Sequence, residues 1–241
     1  MIQTEIRSNV GAAPSGVVAS DTIRVYLAAV SALTAWHCDL LSSEERARAA
    51  RFVFEKDRSL FVLGRAMLRS ILGPALGLTG ARVPLLLNAY GKPEIDGCGG
   101  PSFNLSHSGA YVALAVSEAP RVGIDIEVHR PDCEFLAIAR EYFCPAELAC
   151  LNARPEQADE LFFRYWTLKE AYLKALGSGL SGPLRNLEVS RMRGGSVLED
   201  RWSLGGIRLQ VLNAPPGYSA AVAADAGPWR VCLERWNPTV S

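Results

Sequence analysis

The sequence predicts an α+β protein assembled as a pseudo-dimer, two similar α+β halves with a site between them. Two observations carry this expectation. Strand-like runs are interspersed with two long amphipathic helical patterns, one in each half of a 241-residue chain, which is long enough for two domains of about 120 residues. The halves also echo one another: Arg65-Ala66-Met67-Leu68 up to Leu72-Gly73 aligns with Lys169-Glu170-Ala171-Tyr172 up to Leu176-Gly177 at a constant offset. Ile23 to Val30 answers Val122 to Val128, and Tyr111 to Val116 answers Tyr218 to Ala224. The break at Glu118-Ala119-Pro120 sets the halves at 1–118 and 119–241.

In chain order, Met1 to Ser20 reads as a loose lead-in, and Ile23 to Val30 as a first strand. Ser42-Ser43-Glu44-Glu45 has the signature of a helix start, with Arg46, Arg48 and Arg51 following. Asp57 to Leu72 carries Leu60, Phe61, Leu63, Met67, Leu68, Ile71 and Leu72 at helical spacing, and Gly73-Pro74 is expected to stop it. Leu85-Leu86-Leu87 is a short strand, and Asn88 to Gly100 is rich in turn residues. Asn104 to Gly109 reads as turn chemistry leading into a buried strand, Tyr111 to Val116.

Val122 to Val128 is the clearest strand of all. Asp132 to Cys150 is expected to be helical in parts and interrupted at Pro145. A second long helix spans about Glu160 to Leu176, stopped by Gly177 and Gly179. Leu187 to Arg191, Arg208 to Leu212 and Tyr218 to Ala224 complete a closing sheet.

Composition excludes some classes. Lys plus Arg and Asp plus Glu each total 25, so no overall field draws nucleic acid or a membrane surface, and attraction to a charged partner must be local. Six cysteines, Cys38, Cys98, Cys133, Cys144, Cys150 and Cys232, include no Cys-x-x-Cys and make no zinc spacing with His37, His107 or His129. No exported leader and no stretch of membrane-spanning length is visible. The expectation is a cytoplasmic protein with reduced thiols.

The second long helix holds the first chemical signal. Phe162, Tyr165, Trp166, Leu173 and Leu176 make an apolar stripe, yet Lys169 falls within it, where an ammonium is costly unless it meets an anion. Glu170 and Lys174 stand four apart on the flank beside Trp166. Read alone, such a pair is a solvated helix face worth a few tenths of a kcal/mol.

The strand Val122-Gly123-Ile124-Asp125-Ile126-Glu127-Val128 holds the second. Its alternation sends Asp125 and Glu127 to one side together. Neighbouring carboxylates repel unless water or a cation separates them, and oxygen ligands without His or Cys favour Mg²⁺ or Mn²⁺ over zinc. A wet acidic face is the plainer reading. Gly123 fits either a close backbone approach or a bulge. In Asn104 to Gly109, the serines, backbone N–H groups and His107 can hold phosphate oxygens or simply cap a turn. Lys92 in Gly91-Lys92-Pro93 reads alone as an ordinary turn lysine.

Taken together these motifs are specific. Val-Gly-Ile-Asp-Ile-Glu, followed after a long spacer by Trp166-Thr167-Leu168-Lys169-Glu170-Ala171-Tyr172-Leu173-Lys174, resembles the paired signature of the 4′-phosphopantetheinyl transferases. Gly91-Lys92-Pro93 and Phe103 to Gly109 resemble two further motifs of the Sfp-type branch, and the doubled length sets the chain apart from the short, trimeric holo-acyl-carrier-protein synthase type. The resemblance covers roughly Leu41 to Leu180.

The resemblance implies transfer of the phosphopantetheine arm of coenzyme A to a serine of an apo acyl or peptidyl carrier protein, with release of 3′,5′-ADP. The active site lies between the halves of a monomer. Asp125, Glu127 and Glu170 match the family's Mg²⁺ ligands. Glu170 matches the base for the carrier serine, and Lys174 a grip on the pyrophosphate, with Asp125 part of the catalytic set. Lys169 is placed at the same pyrophosphate. Lys92, Ser106 and His107 match positions that hold the phosphates and ribose of coenzyme A, and Arg48 and Arg65 stand where related sequences carry cations for the same phosphates. Glu45 departs from a lysine found in some members, which puts the adenosine-end grip in doubt. The rival readings are a coenzyme A-binding protein without catalysis and an α+β interaction module. Carriers of fatty acid, polyketide and nonribosomal peptide pathways are not distinguished.

Overall fold

The computed structural model describes residues 6–8, 21–88, 91–97, 99–130, 134–177, 184–190 and 201–237. The strands in chain order are β1 (Ile6–Ser8), β2 (Thr22–Ala29), β3 (Leu85–Leu87), β4 (Pro93–Ile95), β5 (Ser102–Ser108), β6 (Tyr111–Ser117), β7 (Val122–Val128), β8 (Arg201–Leu204), β9 (Ile207–Val211), β10 (Tyr218–Asp225) and β11 (Arg230–Arg235). The helices are α1 (Trp36–Asp39), α2 (Ser43–Ala49), α3 (Glu55–Ala75), α4 (Phe135–Tyr142), α5 (Pro145–Ala153) and α6 (Ala158–Leu176). The architecture is α+β, in two compact units. One comprises the chain up to Pro120 together with Pro228 onward, and the other is Arg121–Gly227.

In the first unit five strands run in the order β1-β11-β2-β6-β5, with β3 and β4 forming a separate ribbon. β11 lies parallel to both β1 and β2, whereas β2, β6 and β5 are antiparallel neighbours. α3 covers this sheet: Leu60, Leu63, Met67, Leu68, Ile71 and Leu72 pack with Phe103, Val112, Leu114 and Val116 in one core. α2 begins with the box its sequence signals, Ser42 Oγ accepting from Glu45 N–H and the Glu45 carboxylate accepting from Ser42 N–H.

In the second unit the order is β7-β10-β9-β8, antiparallel throughout. α6 packs on β7, β10 and β9. Phe162, Tyr165, Leu168 and Ala171 join Phe143, Ile207, Leu209, Ala221 and Ala223 in its core. The echo read in the sequence has a counterpart here: β2 pairs antiparallel with β6, β7 pairs antiparallel with β10, and each pair carries one long helix.

Several elements depart from expectation. α3 runs through Gly73-Pro74 to Ala75. Proline there forfeits one bond in the last turn, and Gly73 serves a tight return, since a Cβ would meet the Leu78 carbonyl at 2.9 Å. Asn104 to Ser108 is strand rather than turn, because pairing with β6 and burial of Phe103 under α3 outweigh polar composition. The interruption expected at Pro145 is present, α4 ending at Tyr142 and Pro145 opening α5. Of Leu187 to Arg191, the described residues 187–190 join no ladder. The division by packing falls at Pro120, and β11 joins the first sheet rather than the second half. The lead-in falls almost wholly outside the described residues, as do Gly179 and Arg191.

His37 in α1 is buried, its Nδ1 accepting the Thr34 N–H at 3.0 Å, with Trp36 and Trp236 edge-on at 5.3 and 5.4 Å between ring centres. Burial holds its pKa below the ordinary 6.5. A base depressed on folding contributes stability that is present above its unfolded pKa and lost as pH falls below it. The urea midpoint is therefore expected to drop between about pH 7.5 and about pH 5.5, and His37→Gln to remove part of that slope.

A second outcome concerns Gly123 in β7. A Cβ there would lie 2.1 Å from the Ala171 carbonyl oxygen and 2.4 Å from the Ala175 nitrogen. Both are backbone and cannot yield cheaply, so Gly123→Ala is expected to cost about 3 kcal/mol or more in thermal unfolding.

Candidate active site

The site grows from the contact between α6 and β7. The pairing of β7 with β10 is continuous from Val122 to Val128, so Gly123 is no bulge; it is the point where helix backbone rests on strand backbone. On the neighbouring strand Ala223 and Ala221 stand opposite Gly123 and Asp125. Small residues across both strands let α6 settle close to the sheet. Strand alternation then sends Asp125 and Glu127 to the same face as Gly123, along the edge of the helix. The expected wet acidic face is in fact turned toward α6: Asp125 is only 2% exposed.

From α6, Glu170 and Lys174 come to this face one turn apart. Lys174 Nζ donates to Asp125 Oδ1 at 2.6 Å, the ammonium remaining about a third exposed while the carboxylate is buried. Glu170 is half-buried, and its Oε1 lies buried without a hydrogen-bond partner among the described residues. Its pKa is pushed up to about 7, first by burial, then by the negative charges of Asp125 and Glu127, with Lys174 partly offsetting them. Gly177, at φ 72°, caps the helix just beyond.

Such a cluster suits a hard divalent cation. The donors are carboxylate oxygens only, one of them buried and unbonded, and their mutual repulsion would be relieved by positive charge. As they stand, no three His, Cys, Asp or Glu side chains among the described residues converge into a ligand cage. The ammonium of Lys174 is the cation seen on Asp125.

Lys169 requires a correction. The resemblance places it at a pyrophosphate, but it is fully buried on another side of α6. Its Nζ donates to the carbonyls of Leu184 and Leu187 at 2.7 and 2.6 Å and bonds the Glu147 carboxylate at 2.9 Å. The anion that an ammonium in an apolar stripe demands is Glu147. The one sequence signal for it was a glutamate three residues after Cys144, at the start of α5, where it caps the helix by accepting the Cys144 N–H.

The remaining candidates belong to the first unit. Arg48 and Arg65 come together over the ring of Phe61, at 5.1 and 5.5 Å from its centre. Glu45 stands beside them, 3.7 Å from Arg65 and 2.6 Å from Arg69, and Arg69 also donates to the carbonyls of Gly80, Ala81 and Val83. Glu45, out of place in a cationic grip, thus holds Arg65 and Arg69. Burial moves the Arg65 pKa downward. Ser106 and His107 are consecutive on β5 and project to opposite faces, Ser106 buried and His107 exposed. Lys92 lies before β4, its N–H bonded to Asn88 Oδ1 at 3.0 Å.

Both parts of the chain resemble known proteins. Residues 121–223 match the family described as the 4′-phosphopantetheinyl transferase superfamily. Residues 31–119 match the family described as 4′-phosphopantetheinyl transferase, N-terminal. The 4′-phosphopantetheinyl transferase Sfp of Bacillus subtilis is 32% identical over 76% of this chain and 82% of its own length. The 4′-phosphopantetheinyl transferase HetI of Nostoc is 43% identical over 62% of this chain, a match that spans 65% of HetI. Among solved structures, the holo-[acyl-carrier-protein] synthase of Thermotoga maritima aligns over 44% of this chain and 63% of its own, with a TM-score of 0.32 and 18% identity.

The raised carboxyl sets a measurable sign. A carboxyl lifted from 4.5 to about 7 disfavours folding in its ionised form, so the metal-free protein loses stability as pH rises through that interval. Glu170→Gln is expected to raise the melting temperature at about pH 8 and to change it little at about pH 5. Calorimetry in the presence of a chelator checks both.

Proposed function

The chain belongs to the 4′-phosphopantetheinyl transferase superfamily, and on that premise we propose that it transfers the 4′-phosphopantetheine group of coenzyme A to a serine of an apo carrier protein. The observation that carries this reading is the meeting of Asp125 and Glu127 on β7 with Glu170 and Lys174 on α6.

In the proposed reaction the carrier serine oxygen attacks the phosphorus that bears the pantetheine arm. The bond from that phosphorus to the oxygen bridging to 3′,5′-ADP breaks, and ADP leaves with the electron pair. Glu170, whose buried Oε1 has no donor among the described residues, accepts the serine proton. Its pKa of about 7 suits that exchange near neutral pH. Lys174, partly exposed, is positioned to reach pyrophosphate oxygens from its place beside Asp125. Asp125, Glu127 and Glu170 would hold Mg²⁺ or Mn²⁺, which supplies positive charge for the pyrophosphate as its bond breaks.

The assignment of Arg48, Arg65, Lys92, Ser106 and His107 to the phosphates and ribose of coenzyme A is proposed on their motif positions, with the Arg48–Arg65 pair the best supported in geometry. Lys169 takes no part in it. Action as a monomer in the cytoplasm is part of the same reading. Among the described residues Cys38, Cys144, Cys150 and Cys232 form no disulfide, and no helix is long and apolar enough to cross a membrane.

The test is the intact mass of apo carrier proteins from several pathways after incubation with the protein, coenzyme A and Mg²⁺. Gain of one phosphopantetheine group, abolished by chelator and reduced about 100-fold or more in Glu170→Ala, is the expected result. Coenzyme A binding with no mass gain on any carrier would replace this reading with that of a binding protein.

A further inference from the structure

The Glu147–Lys169 pair has no role in the chemistry just described, yet it is the most completely satisfied polar network in the second unit. Both side chains are 0% exposed. All three ammonium donors of Lys169 are used, on Leu184 O, Leu187 O and Glu147. Both oxygens of Glu147 are used as well, Oε2 by the Cys144 N–H at 2.9 Å and Oε1 by the Val189 N–H at 2.8 Å. The network joins α6 to the start of α5 and to residues 184–189, which belong to no sheet and whose Leu184 and Leu187 carbonyls and Val189 N–H are bonded by these side chains.

A buried ion pair adds little net stability compared with apolar packing; what it adds is direction, because one arrangement alone satisfies every member. Phe162, Tyr165 and Leu168 would hold α6 against its core at slightly different rotations. Lys169 would not. It leaves the helix about 100° around the axis from its neighbour Glu170, so turning α6 enough to shift Glu170 would pull Lys169 from its acceptors. On the β7 side, the backbone contact at Gly123 limits the same motion.

We propose that Glu147 and Lys169 are positioning residues: they fix the rotation of α6 so that the Glu170 carboxylate stays beside Asp125 and Glu127. Neither touches coenzyme A or the carrier. This inference rests on the acid cluster being the transferase centre.

The test compares wild type with Lys169→Met, Glu147→Gln and the double variant, at a temperature below their melting points. The double variant leaves no buried charge unpaired and serves if a single variant does not fold. Folded fraction is read by circular dichroism, steady-state kinetics give kcat and the KM for coenzyme A, and Mn²⁺ binding without coenzyme A is read by electron paramagnetic resonance. Expected are a kcat per folded molecule lower by about 10- to 100-fold, Mn²⁺ affinity lower by about tenfold, and a KM within about threefold of wild type.

A purely structural pair would lower yield and melting temperature but leave kcat per folded molecule and Mn²⁺ affinity at wild-type values, which overturns the proposal. A large rise in KM at unchanged kcat would make Lys169 a coenzyme A ligand and overturn it too. Wild type that binds Mn²⁺ but modifies no carrier would instead defeat the functional reading, and the Mn²⁺ affinities of the variants would still decide the positioning role.

Discussion

The contact of α6 with β7 at Gly123 is the constraint on which the second unit depends. A helix normally sits on a sheet at the distance set by interleaved side chains, about 10 Å. Here one strand residue has no side chain and its neighbours on β10 are alanines, so helix and strand backbones meet directly. Side chains farther along the same strand face, Asp125 and Glu127, then come within reach of Glu170 and Lys174 without long excursions. Short carboxylates on rigid elements are held more sharply than long ones on loops.

Among the places where charge is buried, three differ in a way that separates structure from chemistry. Glu45 with Arg65 and Arg69 ties α2 to α3, and Arg69 gives further bonds to three backbone carbonyls. Glu147 with Lys169 is closed completely. The cluster on β7 and α6 is different: negative charge exceeds positive, one carboxylate oxygen is buried unbonded, and a pKa is displaced to about 7. Networks that satisfy themselves hold a fold in place. The one that does not is where an outside charge would be accommodated.

The parts of the site legible in the sequence were those tied to periodicity. The alternation of β7 put Asp125 and Glu127 on one face, and helical spacing put Glu170 and Lys174 on one flank. Their partners across the fold were not legible. Nothing local tells that Lys169 meets Glu147 rather than a substrate, because the pairing is made by how α5 docks. Asn104 to Ser108 has the composition of a turn, and only pairing with β6 makes it strand. β11 went unseen for a similar reason: Arg230 to Arg235 is short and half polar, and its place is decided by strands far away in sequence.

That place has a consequence for what holds the first sheet together. β11 lies between β1 and β2, although the whole of the second unit comes between them in the chain. Residues 121–227 form a contiguous unit, whereas the first unit is made of two separate stretches of chain. Without β11 one edge of β2 has no neighbour, because β1 joins the sheet only through β11. Loss of β11 would therefore strip an interior strand from the first sheet while leaving the carboxylate-bearing unit continuous.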